Sequence, residues 1–336
     1  MTIDLNLIRS LVEAWGPSGR EQGVRALIEG YVSDLADEMR VDTAGNLICR
    51  MGRAGEGGKK IMVAAHMDEI GMIISHVDSK GFARFVNVGG LLTNTLHGNR
   101  VRHENGMIGV IGLDDGLNFG RITVPPLAEF FIDFSDGSGV PQVQVGDMAT
   151  LWRTMDVNGT RVIAKSLDDR IGCVVAIQAM RALKGKTVPN ELYFVFTTQE
   201  EVGIRGARVG AFGIMPDLGI ALDVTSCGHL PKQGRGSSAR MGGGASIKVF
   251  DVGHIVPVSV RDLFIRRAEE GGIPYQLEVL TVGSTDAAAI QVTGGGVPSG
   301  TISIPSRFVH TTSETVDVRD VQACVDLLVA VTANPI

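Results

Sequence analysis

Leu192-Tyr193-Phe194-Val195-Phe196-Thr197-Thr198-Gln199-Glu200-Glu201-Val202-Gly203 is an apolar β run that ends in two adjacent acids. Carboxylates left at the end of a core strand lose hydration, which is costly unless a cation meets them. The expectation is a metal ion at that strand end. The reading of the whole chain follows from which other segments deliver ligands to the same place.

Two more apolar runs end in the same manner. Lys60-Ile61-Met62-Val63-Ala64-Ala65 has the continuous apolar character of a strand buried on both faces, and it stops at His66-Met67-Asp68-Glu69. Leu218-Gly219-Ile220-Ala221-Leu222 stops at Asp223. Before them, Leu5, Ile8, Leu11 and Val12 recur at helical spacing up to Gly16-Pro17-Ser18-Gly19, and Val24, Leu27, Ile28 and Val32 mark a second helix. Met39 to Asp42 and Asn46 to Cys49 read as strands around a turn at Gly45, with the glycines of 52–58 as a hairpin tip.

From Gly71 to about Lys165 the texture changes to short alternating runs such as Met72 to Val77 and Met107 to Ile111, cut by many glycines. That pattern predicts a small β domain of barrel or sandwich type, with Phe130 to Phe134 readable as strand or loop. After Lys165 the α/β rhythm resumes with a helix through Val174, Ile177 and Leu183, another over roughly Val260 to Glu270, a strand at Thr301 to Ile304 and a closing helix through Val321, Cys324 and Leu328. The expected organisation is an α/β body formed by residues 1–68 and 166–336, with residues 69–165 inserted.

At 336 residues the chain exceeds what one core usually organises, which supports two domains. A net charge of −6 without a dense Lys/Arg block argues against nucleic acid or an anionic membrane as partner. No apolar run approaches the ~18 residues needed to span a bilayer, and the start carries no leader pattern, so the expected location is cytoplasmic. Cys49, Cys173, Cys227 and Cys324 lack any Cys-x-x-Cys spacing and read as buried thiols.

In open α/β sheets, sites form beyond the carboxyl ends of the strands, so residues just after apolar runs converge even when distant in sequence. His66 and Asp68, Glu200 and Glu201, and Asp223 occupy such positions, while Asp168 precedes a helix and His310 follows the strand at Ile302 to Ile304. Each alone has a plain structural reading: a histidine after a strand is commonly a core or surface residue, and Asp168-Asp169 would serve as a helix cap. Five segments placing acids or imidazole at one end of one sheet is harder to ascribe to chance. Imidazoles with carboxylates suit Zn²⁺, Co²⁺ or Mn²⁺ better than Ca²⁺ or Cu⁺, and the acids suffice for two ions.

These residues carry a family resemblance. His66-Met67-Asp68-Glu69-Ile70-Gly71, Ser166-Leu167-Asp168-Asp169-Arg170, Gln199-Glu200-Glu201-Val202-Gly203, Ala221-Leu222-Asp223, Ser284-Thr285-Asp286-Ala287 and Val309-His310-Thr311-Thr312-Ser313-Glu314 resemble, in order, the motifs of the M42 family of dinuclear metallo-aminopeptidases. The resemblance implies a mixed-sheet α/β metallopeptidase fold of the phosphorylase/hydrolase-like type with an inserted small β-barrel-like domain used for dimerisation. It also implies two divalent metal ions per subunit, His66, Asp168 and Asp223 holding one and Asp168, Glu201 and His310 the other. Asp68 would orient the His66 imidazole. Glu200 would act as general base toward a water bridging the metals. Adjacent strand residues point to opposite sides, so one ligand and one base is a natural division unless the backbone turns there.

The activity so implied is removal of N-terminal residues from short peptides by a homo-oligomer, dimer-based and in many relatives a dodecamer. The segment Ser135 to Gln142 lacks a short helix that the family carries there. A dinuclear deacylase or carboxypeptidase is the rival on the same ligands; a glycoside hydrolase (endoglucanase) would need two carboxyls facing each other across the bond, and a non-catalytic shell protein would lack a ligand. His76, His97, His103, His229 and His254 read as structural or surface residues, with His97 and His229 the two that could line the pocket.

Overall fold

The computed structural model describes residues 3–116, 123–138, 142–227 and 238–336. Helices α1 (Leu5–Val12) and α2 (Gln22–Val32) lead into strands β1 (Glu38–Val41), β2 (Leu47–Met51) and β3 (Lys60–His66). Then come β4 (Gly71–Val77), β5 (Phe82–Val88), β6 (Arg100–His103), β7 (Ile108–Leu113), β8 (Phe130–Asp133), β9 (Met148–Leu151), β10 (Asp156–Asn158) and β11 (Arg161–Ala164). The second half runs α3 (Leu167–Leu183), β12 (Glu191–Thr197), α4 (Arg205–Ile214), β13 (Leu218–Ser226), β14 (Ala245–Asp251), β15 (His254–Ile255), α5 (Val258–Gly271) and β16 (Tyr275–Val279). It closes with α6 (Asp286–Ile290), β17 (Ser299–Arg307), β18 (Glu314–Asp317) and α7 (Val318–Thr332).

Among the described residues twelve strands form one mixed sheet in the order β1-β2-β12-β3-β13-β17-β18-β11-β10, with β14 to β16 branching from β17. Its centre, β12-β3-β13-β17, is parallel. Burial explains why these strands read as continuous apolar runs: β3 has Ile61 through His66 buried, because helices cover both faces of the sheet. One face packs on α1, α2, α3 and α7 through residues such as Leu11, Ile28, Val63, Ile177 and Leu328. The other packs on α4 and α6 through Met62, Ala64, Val195, Ala207, Ala211 and Ile290.

The helix α1 begins where the Asp4 carboxylate accepts the Asn6 and Leu7 amides, the usual cure for unpaired first-turn N–H groups. Helix α3 is different. It is buried on every side from Leu167 to Met180, so it carries no polar face, and its first residues are not helical: Ser166 is left-handed at φ 55° and Asp168 sits at φ −78°, ψ 108°. Asp168 is therefore part of the bend into the helix and not its cap.

Strands β4-β5-β8-β7-β6-β9 close a barrel with its own core of Met72, Ile74, Val101, Ile111, Phe130 and Ile132. The ambiguous segment at Phe130 is thus strand β8. Strands β10 and β11, inside the stretch expected to belong to the insert, lie in the large sheet, β11 paired with β18 and β10 with β11. Periodicity could not show this, since short strands of either domain look alike. The glycines of 52–58 do not form a hairpin tip, because β12 lies between β2 and β3 in the sheet and β3 is its parallel partner. No helix occurs among the described residues of 134–147; residues 139–141 lie outside them.

Candidate metal centre

Parallel register brings the strand ends level. Thr197 pairs with His66 and Ala221 with Ala64, so Asp223, two residues on, stands beside His66 at the sheet's carboxyl edge. His310 arrives from the turn after β17, and Asp168 from the bend into α3.

Ligand atoms of His66, Asp168 and Asp223 lie within 4.8 Å of one another, and so do those of Asp168, Glu201 and His310. Asp168 is common to both groups: its Oδ1 is 3.1 Å from His66 Nε2 and its Oδ2 is 3.3 Å from His310 Nε2. Glu201 Oε2 is also 3.3 Å from His310 Nε2. Each imidazole spends its Nδ1–H on a main-chain carbonyl, His66 on Asp68 at 3.1 Å and His310 on Gly90 at 2.9 Å, which leaves both Nε2 atoms to the carboxylates. The Gly90 contact comes from the barrel side of the chain and requires glycine, since a Cβ there would lie 2.7 Å from the His310 ring.

The strand β12 stops at Thr197, and the backbone turns at Gln199, held left-handed at φ 55°. Strand alternation therefore does not apply to Glu200 and Glu201, and both line the same cavity of about 490 Å³. They divide along it: Glu200 Oε2 lies 4.0 Å from His66 Nε2, while Glu201 meets His310. Asp68, wholly buried, makes this turn possible. Its Oδ1 accepts the Glu200 amide at 3.0 Å, and its Oδ2 accepts the Glu201 amide at 3.2 Å and the Ser18 hydroxyl at 2.6 Å. Its carboxylate also approaches His66 Nδ1 at 3.4 Å. Asp68 thus positions both glutamates as well as the imidazole it was expected to orient.

Several supporting groups were not assigned a role from the sequence. Glu314 accepts the Asp168 amide at 2.9 Å and the His310 amide at 2.8 Å, fixing candidate ligands from two segments. Its place four residues beyond His310, inside a motif already singled out, was the available signal. Glu21 accepts the amides of Gly19 and Gln199, and Asp286 accepts the Thr197 hydroxyl at 2.6 Å. Asp169 accepts the His66 amide and carries no ligand atom to either group. Asp169 and Asp286 also stand inside motifs already singled out, whereas nothing local in sequence distinguishes Glu21 from an ordinary surface acid. His97 is exposed and does not line the cavity, and His229 lies outside the described residues.

Electrostatics follow from crowding. Burial, reinforced by neighbouring carboxylates, raises Glu200, Glu201 and Asp223 above the ordinary acid range. Burial alone would lower the two histidines, but their carboxylate partners overcome it and raise both, His310 to about 12. Asp168, opposed by burial, is held low by His310 and His66. Burial and the nearby Asp168 push Glu314 up to about 8. A divalent cation answers the same crowding: the donors are imidazole nitrogen and carboxylate oxygen, and Glu201 Oε1 is buried with no hydrogen-bond partner.

A parallel sheet with imidazole and carboxylate groups gathered at its carboxyl edge, and a barrel inserted in its chain, defines a hydrolase-like α/β protein of the metallopeptidase type. The M42 glutamyl aminopeptidase family matches residues 45–327, and the chain belongs to that family of aminopeptidases. It is 42% identical over 328 residues, 96% of this chain and 97% of the other, to an Acetivibrio thermocellus protein described provisionally as an aminopeptidase. The solved aminopeptidase APDkam598 from Desulfurococcus kamchatkensis is 38% identical with a TM-score of 0.91, over 98% of this chain and 94% of that one. The Pyrococcus horikoshii TET1 peptidase, described as able to assemble into a tetrahedron or a large octahedral shell, is 32% identical with a TM-score of 0.86, over 98% of both chains.

Proposed function

We propose that this enzyme is a dinuclear metal-dependent aminopeptidase that removes N-terminal residues from short peptides. Asp168 carries the reading, because its two oxygens face the imidazoles of two separate ligand triads. His66, Asp168 and Asp223 would hold one divalent cation and Asp168, Glu201 and His310 the other, with Zn²⁺, Co²⁺ and Mn²⁺ all suited to the donors. Cations bound there would supply Lewis acidity, acidifying a water and polarising the scissile carbonyl. Glu200 would take the proton from the attacking water on its carboxylate as the water oxygen bonds to the carbonyl carbon, and return it to the amine nitrogen as the C–N bond breaks. Burial raises its affinity for protons, the direction that strengthens a carboxylate as a base. Asp68 keeps the base and the ligand on one turn at fixed separation.

The aminopeptidase names of the relatives support this polarity over a deacylase or carboxypeptidase, and the acids grouped with imidazoles support ligands over an opposed glycosidase pair. The test is Glu200→Gln, with bound metal measured beside turnover of aminoacyl amides. Retained metal with turnover down by about 10²- to 10⁴-fold is the expected result. Unchanged turnover sinks the base assignment, and loss of metal moves Glu200 among the ligands.

Assembly and location extend the same reading. The TET1 relative forms closed shells, and this barrel exposes Val86, Ile108 and Val110, so we infer a dimer-based homo-oligomer built through the barrel, up to a dodecamer. Four free, buried cysteines suit a reducing compartment, which favours the cytoplasm. No helix of the described residues is long and apolar enough to cross a membrane.

A further inference from the structure

The cavity that holds Glu200 and Glu201 is lined by two kinds of residue: Asp168, Asp223, Glu200, Glu201 and His310 are ionisable, while Leu92, Ile204, Val224, Leu280, Val282 and Val309 supply its apolar wall. Resting on the aminopeptidase reading, we propose that this wall is the recognition pocket for the N-terminal side chain and that it selects a branched or long aliphatic residue, leucine or methionine, over acidic and basic ones.

Among the described residues lining the cavity, Lys248 is the sole charged group outside the acid and imidazole cluster. Its Nζ is buried without a well-formed hydrogen bond, but its charge is already answered by two carboxylates. Its side chain is fully buried on β14, and its Nζ lies 3.5 Å from Asp251 Oδ2 and 3.4 Å from Glu278 Oε1, both also fully buried. One ammonium lies between two carboxylates, so among the described residues lining the cavity an acidic side chain meets no unanswered cation. A basic side chain finds no partner in Asp251 or Glu278, which are not among the residues that line the cavity. Ser284 cannot substitute as an open polar contact, since its hydroxyl already donates to Asp251 Oδ1 at 3.0 Å. Burying an unpaired charge against such a wall is unfavourable, while an aliphatic chain gains from leaving water.

The wall also contains side chains exposed in the free enzyme, Val282 at 64% and Leu92 at 42%, which a bound aliphatic group would cover. Val282 sits just after Leu280 in the loop from β16 to α6, outside both ligand triads, so it can be changed without touching a metal ligand.

The experiment compares kcat/KM for leucyl, methionyl, alanyl, glutamyl and lysyl amides, using the metal-loaded full-length enzyme and its Val282→Asp variant. Leucyl and methionyl substrates are expected to exceed alanyl by about 10-fold or more, the usual value of missing methylenes in an apolar pocket. They are expected to exceed glutamyl and lysyl by on the order of 100-fold, since a charge would be buried unpaired. In Val282→Asp the lysyl-to-leucyl ratio is expected to rise by about 10-fold, with bound metal unchanged. A wild-type preference for glutamyl or lysyl amides overturns the proposal, as does a Val282→Asp variant whose ratios match the wild type. Failure to cleave any aminoacyl amide, with cleavage of N-acyl amino acids instead, overturns the aminopeptidase reading itself, a result distinct from either of those.

Discussion

Asp68 and Glu314 do similar work from opposite sides of the centre. Each is a buried carboxylate whose two oxygens accept main-chain amides of two site residues, Asp68 those of Glu200 and Glu201 and Glu314 those of Asp168 and His310. The backbone that bears the proposed ligands and base is thus fixed. Removing either clamp leaves ligands chemically intact but poorly aimed. Asp68→Ala and Glu314→Ala are each expected to weaken metal affinity by about 10- to 100-fold, read by competition with a fluorescent chelator. Affinity equal to wild type would show that the ligands are held without the clamps. Glu314 was within reach of the sequence, since it stands in the same motif as His310; Asp68 was found, though its use on the two glutamate amides was not, because a main-chain partner leaves no trace in side-chain chemistry.

At the scale of elements, the crossing between barrel and sheet is tied by Glu69, at the start of the barrel, and by Lys165 and Ser166 ahead of α3. Glu69 Oε2 accepts Lys165 Nζ at 2.7 Å and Ser166 Oγ at 2.6 Å, while its Oε1 accepts the Gly16 amide at 3.1 Å. The pair is buried, with side chains 2% and 3% exposed, so losing one partner strands the other charge. Lys165→Met is expected to lower stability by about 3 kcal/mol, measured from the urea midpoint. A change under about 0.5 kcal/mol, the ordinary range of surface substitutions, would show that Ser166, Gly16 and Arg170 satisfy Glu69 unaided. Helix α3 and the strand ends were legible as elements from apolar runs alone. The membership of β10 and β11 in the large sheet was not, because pairing partners are chosen by tertiary register that a four-residue strand does not encode.

For the whole molecule the site sets a pH dependence. Glu314 is raised from 4.5 to about 8 and Asp286 from 3.8 to about 6, both chiefly by burial. Between those limits the folded chain holds protons that the unfolded chain has released, so stability falls as pH rises through the folded values. His310, raised from 6.5 to about 12 by carboxylates that outweigh its burial, has the same sign from neutral pH upward. Asp68 and Asp168, held low, already contribute fully above about pH 5 and add no slope there. The chelated protein should therefore lose Tm between pH 6 and about 9, and added Zn²⁺ or Co²⁺ should remove most of that loss, since ligands deprotonate on binding. A chelated Tm that climbs over this range contradicts the assignment. Assembly gives a second check: Ile108→Glu with Val110→Glu places charges on the exposed face of β7 and is expected to reduce the particle mass seen by light scattering while circular dichroism stays native. An unchanged mass would move the interface away from this face of the barrel.

The chain alone determined the α/β body, the existence of a β insert and the residues that gather at the centre, because buried parallel strands write themselves as apolar runs and their chemistry collects just past the ends. Tertiary structure decided the rest. It turned the backbone at Gln199 so that Glu200 and Glu201 share one cavity, set Asp168 between two imidazoles, and brought Gly90 from the barrel side against His310. Those outcomes depend on main-chain hydrogen bonds and on approach between segments more than a hundred residues apart in sequence, where neither residue type nor local period carries the information. The two acids of Glu200-Glu201 were legible as needing a cation; how they divide along the cavity was a property of the fold.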